Sequence, residues 1–570
     1  MKKLFFCLFV LSINFVYAQK PAKYWIQFKD KQNNGYSIQN PDAFLSTRAI
    51  TKRNRFNIPI TEQDLPLNKE YILQVLNLDT TMLLLTQSKW LNGITVYCEK
   101  ENVLSVIQSL PFVSFAEKTI ALKEKEERCN ENFQFRSHSL PINLANNKKD
   151  TCFSELDYGK TTDQIRLHNV HWLHRLGYRG EGMWMCVLDG GFNNVDSVRH
   201  FELLRQENRL LGIRNFVQPC VNPLRKHNHG TYVLSCIASE VPGEMIGTAP
   251  KVSVFLAQTE DGRTEHKIEE DNWVAALEWA DSLGCDVINS SVGYTQFDDS
   301  LQKRTRYDLT GKTSRASQAA SLAASKGIIV CNSAGNAGRG PWKYIGCPAD
   351  ATDIITVGAV DMQRNKTDFS SIGPTADARI KPDVCALGKA VNIANPYGKS
   401  SRADGTSFSS PLLAGMLSCL WQAFPEKTAF QVMDAIRKSA SQAETPDSLL
   451  GYGIVDLWKA YNLLLQPTST YDSSGNLLMT VSIPSFVYQY EPFKITIHSA
   501  IKIKIVMQIT LRNGQIANTK EYKIKKGKNV LKIKTFPSLQ QEEYGFVDLR
   551  LNGYEVDYNY VFGIEKQKGE

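Results

Sequence analysis

A chain of 570 residues, 42% apolar and 22% charged, is long enough for roughly two to four domains and excludes wholesale disorder. Its formal net charge of +8 is modest for this length, and the lysines collect in one late segment, which excludes a nucleic-acid-binding face.

The chain begins with a secretory pattern: basic Met1-Lys2-Lys3, the apolar run Leu4 to Val16, then Val16-Tyr17-Ala18 as a small-residue cleavage site. That run is too short for a membrane span and no other run is long enough, so residues 1–18 are expected to be a signal peptide and the protein secreted. Export permits disulfides. Cys186, Cys236, Cys285, Cys331 and Cys419 nevertheless sit in apolar segments and read as buried free thiols, while Cys129 and Cys152 flank a polar stretch and form a candidate pair.

Residues 19–118 suggest a small α+β unit. Strands are expected at Tyr24–Phe28, Met82–Thr86, Gly93–Tyr97 and Val113–Phe115, and a helix at Val103–Leu110. Residues 119–150, with a Lys/Glu run and Asn146-Asn147-Lys148-Lys149, read as a solvated linker. From 151 to 465 short apolar strands alternate with helical stretches: Trp184–Leu188, Val252–Ala257, Asp286–Asn289, Ile328–Cys331 and Ile354–Val357, separated by helices at Gly230–Ser239, Ile268–Leu283 and Ser314–Lys326. This alternation predicts an α/β domain with a mostly parallel sheet flanked by helices, whose function gathers at the strand ends. Residues 467–570 change to period two, with turns expected at Asn513-Gly514 and at Lys526–Asn529, and predict an all-β sandwich. Its lysines read as a solvated strand face that discourages edge pairing rather than as a polyanion site.

The chemistry concentrates at Gly405-Thr406-Ser407-Phe408-Ser409-Ser410-Pro411, where a serine stands just ahead of an apolar helix with Pro411 placed in its first turn. Alone, this is equally an N-capped core helix. Upstream, the strand ending in Asp189-Gly190-Gly191 carries a carboxylate suited to holding an imidazole in one tautomer. His227 and His229 follow, with helical spacing starting after His229; no ligand cluster accompanies them, so a metal pair has little support. Ser291-Val292-Gly293 ends a strand with small residues that could form an edge for an extended peptide. Ser333-Ala334-Gly335-Asn336 ends another, and Asn336 can offer a side-chain N–H to an oxyanion. The glycines there superficially suggest dinucleotide binding, but Gly340-Pro341-Trp342 stands where the phosphate-binding helix should start.

Together with Gly247-Thr248-Ala249-Pro250, these segments resemble the subtilisin-like serine proteases, in the order Asp, His, Ser, over about residues 155–465. The resemblance implies Ser407 as nucleophile, His229 as general base, Asp189 as its orienting acid, and Asn336 with the Ser407 backbone N–H as oxyanion hole. It implies Ser291, Val292 and Gly293 as the substrate-pairing edge and gives His227 no catalytic part. It further implies a secreted serine endopeptidase made as a zymogen, with protein or peptide substrates and no stable membrane span. No cofactor or metal is required for catalysis; family members often hold structural calcium, for which no acidic run marks a site. The 19–118 unit resembles the family's inhibitory propeptide, and the final domain resembles carboxy-terminal sorting domains of the type IX secretion pathway of Bacteroidetes. Two departures stand out: Gly190 where the family has Ser or Thr, and Phe408-Ser409 where it has Met-Ala. The alternative from another class is a catalytically silent secreted binding or adhesion protein on the same scaffold; an esterase is disfavoured because no G-x-S-x-G elbow surrounds Ser407.

Overall fold

The computed structural model describes residues 21–100, 103–121 and 156–465, and beyond these the segments 469–471, 477–482, 486–488, 493–511, 516–533, 544–551 and 557–565. The expected leader, most of the expected linker and the Asn513-Gly514 turn lie outside the described residues, as do Cys129 and Cys152.

Residues 21–121 build an antiparallel sheet of order β2-β3-β1-β4 from β1 (Ala22–Phe28), β2 (Leu83–Ser88), β3 (Gly93–Cys98) and β4 (Val113–Ala121). Three helices accompany it: α1 (Thr47–Arg55), α2 (Lys69–Leu76) and α3 (Val103–Ser109). Ile72 and Val75 of α2 and Val103 and Ile107 of α3 close a core with Tyr24, Ile26, Ile94 and Val96. Helices α1 and α2 were not legible in the sequence. α1 reads Thr-Arg-Ala-Ile-Thr-Lys-Arg-Asn-Arg and has almost no apolar stripe of its own.

The middle of the chain supplies α4 (Thr162–Arg166), α5 (Val170–Arg175), β5 (Trp184–Asp189), α6 (Glu202–Gln206), β6 (Leu210–Asn215) and α7 (His229–Ala238). A short hairpin, β7 (Glu240–Val241) and β8 (Met245–Ile246), precedes β9 (Ser253–Gln258), α8 (Ile268–Leu283), β10 (Val287–Ser290), α9 (Arg315–Ala323), β11 (Ile329–Ser333) and β12 (Ile355–Val360). Then come β13 (Val384–Leu387), the pair β14 (Val391–Ala394) and β15 (Ser400–Ala403), and helices α10 (Thr406–Ala423), α11 (Ala429–Ser439) and α12 (Leu457–Leu465). Seven of these strands form one parallel sheet of order β13-β12-β11-β10-β5-β9-β6.

Period-two geometry explains why both faces are apolar. Along β5, Met185 and Val187 point into a core with α7 and α10, while Cys186 and Leu188 point into a second core with α8 and α9. The five strands read from the sequence are present, shifted by a residue or so. The outer strands β6 and β13 were missed: β6 carries Gly212 and Arg214 and is only partly buried, and β13 is four residues long.

The parallel register brings the carboxyl ends of β5, β10 and β11 side by side, with Leu188 opposite Ser290 and Ser290 opposite Asn332. All five thiols expected to be buried and free are so, and Cys98, Cys347 and Cys385 join them. Cys220 is in a disulfide.

The last region holds β16 (Ser469–Tyr471), β17 (Leu477–Ser482), β18 (Phe486–Tyr488), β19 (Phe493–Ser499), β20 (Ile503–Leu511), β21 (Ile516–Ile524), β22 (Gly527–Ile533), β23 (Tyr544–Leu551) and β24 (Asp557–Glu565). They pair as β16-β17-β19-β22 and β18-β24-β23-β20-β21, antiparallel except for β18 with β24. The expected hairpin at Lys526–Asn529 is not one. β21 pairs with β20 and β22 with β19, so Lys526 carries the chain between two sheets and Gly527 takes a left-handed φ of 94°.

Candidate active site

Asp189 is the last residue of β5 and fully buried. Its carboxylate accepts the Gly190 N–H at 2.7 Å and the His229 Nδ1–H at 2.9 Å. His229 is the first residue of α7, and that helix can start here only because Gly230 is a glycine: a Cβ at 230 would lie 2.5 Å from the Gly191 carbonyl oxygen and 2.6 Å from the Phe192 ring. The imidazole is 41% exposed on its other side. Burial chiefly pushes His168 and His174, which have no carboxylate partner among the described residues, down to about 4. Burial lowers His229 too, but the Asp189 charge and hydrogen bond outweigh it and raise the imidazole above its ordinary 6.5. The rival His227 is exposed; its ring lies against Gly262, and no hydrogen bond joins it to Asp189.

Ser407 is the second residue of α10 and 9% exposed. Pro411 lies not in the first turn, as the sequence suggested, but inside the helix. It therefore removes the N–H that would bond the Ser407 carbonyl four residues back. Ser291 replaces that donor: its hydroxyl donates to the Ser407 carbonyl oxygen at 2.9 Å. In return Ser407 Oγ donates to the Ser291 carbonyl at 3.4 Å, and no hydrogen bond joins it to His229 in this structure. In unliganded sites such contacts commonly tighten only with substrate.

Asn336 lies in the loop after β11. Its side-chain oxygen accepts both the Thr406 N–H at 2.9 Å and the Thr406 hydroxyl at 3.0 Å, which fixes the amide orientation and turns the Nδ2 donor away from those bonds. Thr406 Oγ1 also accepts the Gly335 N–H at 3.2 Å. Thr406 was legible as part of the motif but not as the residue that holds Asn336.

Val292 and Gly293 border a cleft of about 430 Å³ whose other wall is the segment from Glu260 to Glu265. The Ser291 side chain instead turns inward under Ser407. Glu260, unmarked by any sequence pattern, accepts the Tyr294 and Thr259 hydroxyls, both at 2.7 Å, and burial pushes its carboxyl well up. Of the two departures, a Cβ at Gly190 would meet nothing nearer than 3.8 Å, so space for a hydroxyl-bearing side chain exists and the group itself is missing. The Phe408 ring lies tilted at 43° to His229 with centroids 6.0 Å apart, while the Ser409 hydroxyl donates to the Ala386 and Leu387 carbonyls and ties α10 to β13. Among the described residues no group of three or more His, Cys, Asp or Glu is arranged to hold a metal ion, and no helix is long and apolar enough to cross a membrane.

The model of the subtilase family, peptidase S8, matches residues 180–453, and that of the peptidase S8 propeptide domain of Bacteroidota matches residues 23–134. The sequence is 28% identical to subtilisin DY of Bacillus licheniformis over 270 residues, covering 46% of this chain and 86% of that protein. It is 30% identical to a subtilisin of Bacillus pumilus over 273 residues, covering 47% and 87%. Against subtilisin NAT of Bacillus subtilis subsp. natto the figures are 27% over 359 residues, covering 60% and 86%.

Proposed function

The chain belongs to the subtilase family and is a serine-type peptidase with a propeptide, and from that premise we propose that it is an exported endopeptidase acting through Asp189, His229 and Ser407. The observation that carries this reading is the His229 Nδ1–Asp189 bond beside a serine in the first turn of α10.

That bond leaves Nε2 as the ring's free lone pair. Once Ser407 Oγ turns from the Ser291 carbonyl, Nε2 takes its proton as Oγ attacks the peptide carbonyl. The imidazolium so formed is stabilised by Asp189, which already raises its pKa in the resting site. The oxyanion meets Asn336 Nδ2 and the Ser407 N–H, a first-turn donor with no intrahelical acceptor. His229 then returns the proton to the leaving amine, and water repeats the sequence on the acyl-enzyme. Val292 and Gly293 offer the substrate backbone an edge, protein or peptide substrates pass along it, and residues 19–118 act as the intramolecular inhibitor. Export rests on the Met1–Ala18 pattern and on secretion as the compartment where such a zymogen works.

The test is labelling of the processed protein by a fluorophosphonate probe, with Ser407→Ala as control and hydrolysis of a denatured protein in parallel. Wild type should label and cleave and the variant do neither. Equal labelling of the two would refute the reading, and labelling without cleavage would point to an esterase.

A further inference from the structure

Between β1 and α2 the chain makes a long excursion that the small sheet does not need, and α1 sits in it. Its contacts lie on the catalytic body. Ser46, the N-cap of α1, donates its backbone N–H to the Ser282 carbonyl and its hydroxyl to the Leu283 carbonyl, each at 2.8 Å. Arg48 donates to the Gly284 carbonyl at 3.2 Å and pairs with Asp286 at 2.6 Å, and Lys52 Nζ donates to the Cys285 carbonyl. The last carbonyls of α8 are thus satisfied from another region by Ser46, and those of the turn after it by cations placed at the negative end of the helix.

Behind these contacts runs a buried chain of alternating charge. Lys326 pairs with Asp64 at 3.0 Å, Asp64 with Arg53 at 3.0 Å, and Arg53 with Asp281 at 2.9 Å. Lys326 and Asp281 belong to the catalytic body, Asp64 and Arg53 to the pro-region, and Arg53 is 1% exposed. Gly284, at a φ of 92°, has space only for α1: a Cβ there would come within 2.7 Å of the Ala49 nitrogen. Phe56 closes the far end against Trp421 of α10, ring centroids 6.1 Å apart. Arg48 also lies over Trp184, the first residue of the strand that ends in Asp189, so α1 binds at the opposite end of the sheet from the cleft.

We propose that the end of α8, from Asp281 to Asp286 with Lys326 and Trp421, is a second recognition site for the pro-region, filled by residues 44–64. This site, remote from the cleft, sets how long the pro-region stays attached once the chain between the two regions is cut. The proposal rests on reading residues 23–134 as the inhibitory region, not on hydrolysis by Ser407. Its ligand is a short basic helix led by a serine cap, presenting arginine and lysine to helix-end carbonyls. Removing Arg53 leaves two buried carboxylates, Asp64 and Asp281, held only by Lys326 and Lys89 at the ends of the chain, so its loss should be felt strongly.

The test uses full-length Ser407→Ala protein carrying a site-specific protease sequence inserted in the 119–150 linker. After nicking, the two fragments are followed by size exclusion over time. The parent fragments should co-elute, and Arg53→Ala and Arg48→Ala should each release the pro-region at least tenfold faster. Arg53→Ala with Asp281→Ala should release more slowly than the two single effects multiplied together, because the two residues share an ion pair while each keeps another partner. Release at the parent rate in both arginine variants would overturn the proposal, as would immediate separation of the parent fragments. If Arg53→Ala does not fold, Arg48→Ala, whose side chain is 27% exposed, decides the matter. Because Ser407 is absent throughout, failure here is distinct from failure of the peptidase reading.

Discussion

Asn336 has one amide oxygen and spends it twice on Thr406, so its donor end has no freedom to follow a substrate and must be met where it stands. Asn336→Ala should therefore lower kcat about 10²- to 10³-fold with little change in KM, as expected for a donor used mainly in the transition state. The imidazole gives a second residue-scale expectation. In the proposed mechanism His229 is neutral when it accepts the serine proton, and its pKa is raised above 6.5, so kcat/KM should climb with pH through a midpoint above 6.5. Asp189→Asn removes the charge responsible, so its residual activity, lower by on the order of 10⁴-fold, should show a lower midpoint. Asp189, His229, Ser407 and Asn336 could all be picked out because each sits at a strand or helix end marked by glycines or small residues. Glu260 could not: its burial in the cleft wall depends on contact with Tyr294, 34 residues away in the sequence.

At the scale of the element, α10 is a helix with a missing hydrogen bond that a neighbouring strand end supplies. Ser291→Ala should leave the Ser407 carbonyl buried without a donor and cost about 1–3 kcal/mol in a thermal or denaturant melt. Pro411→Ala restores the internal N–H, so the double variant should recover most of that loss; an additive pair would show that Ser291 and Pro411 are not coupled. The sequence contained the residues of this arrangement and not its geometry, since helix spacing alone cannot say which turn Pro411 occupies. Gly247-Thr248-Ala249-Pro250 has a comparable explanation: a Cβ on Gly415 of α10 would stand 2.0 Å from the Thr248 hydroxyl, so that segment marks a close backbone crossing rather than a reacting group.

Across the whole molecule, the pro-region sheet lies on α8 through carboxylates taken out of water. Glu278 is 5% exposed and accepts from the Ser88 hydroxyl at 2.6 Å and from the Lys89 and Trp90 N–H groups at 2.7 and 3.1 Å. Burial nevertheless pushes it up to about 7, and pushes Asp271, beside Thr95 and Arg315, up to about 6. A carboxyl whose pKa is higher in the complex than in the separated parts favours the complex while protonated. The advantage is therefore lost as pH rises from about 5 through about 7. Asp64 and Glu117, held low by Arg53 and Arg315 against their own burial, act in the opposite sense and only at more acid pH. Release of the nicked pro-region should thus quicken from pH 5 to 8, by roughly 10²- to 10³-fold, and Glu278→Gln should remove most of that dependence. A pH-independent parent would contradict this. The layered body was legible because parallel strands and covering helices differ sharply in period. The meeting of pro-region and body was not, because α1 and Glu278 both find their partners roughly two hundred residues away and across a domain boundary.

Eight thiols lie buried in the described residues, and burial pushes Cys331 and Cys385 up to about 12, out of reach of exchange chemistry. That protection exists only after closure. While the nascent chain is open those same sulfurs return towards the ordinary thiol pKa of about 8.5, where the thiolate fraction suffices for exchange, and in an oxidising compartment they are free to pair wrongly. A long parallel sheet is slow to assemble. Under the proposed export, production of this protein is a race between folding and oxidation, and whatever hastens closure of the body raises the yield of enzyme with these eight thiols free.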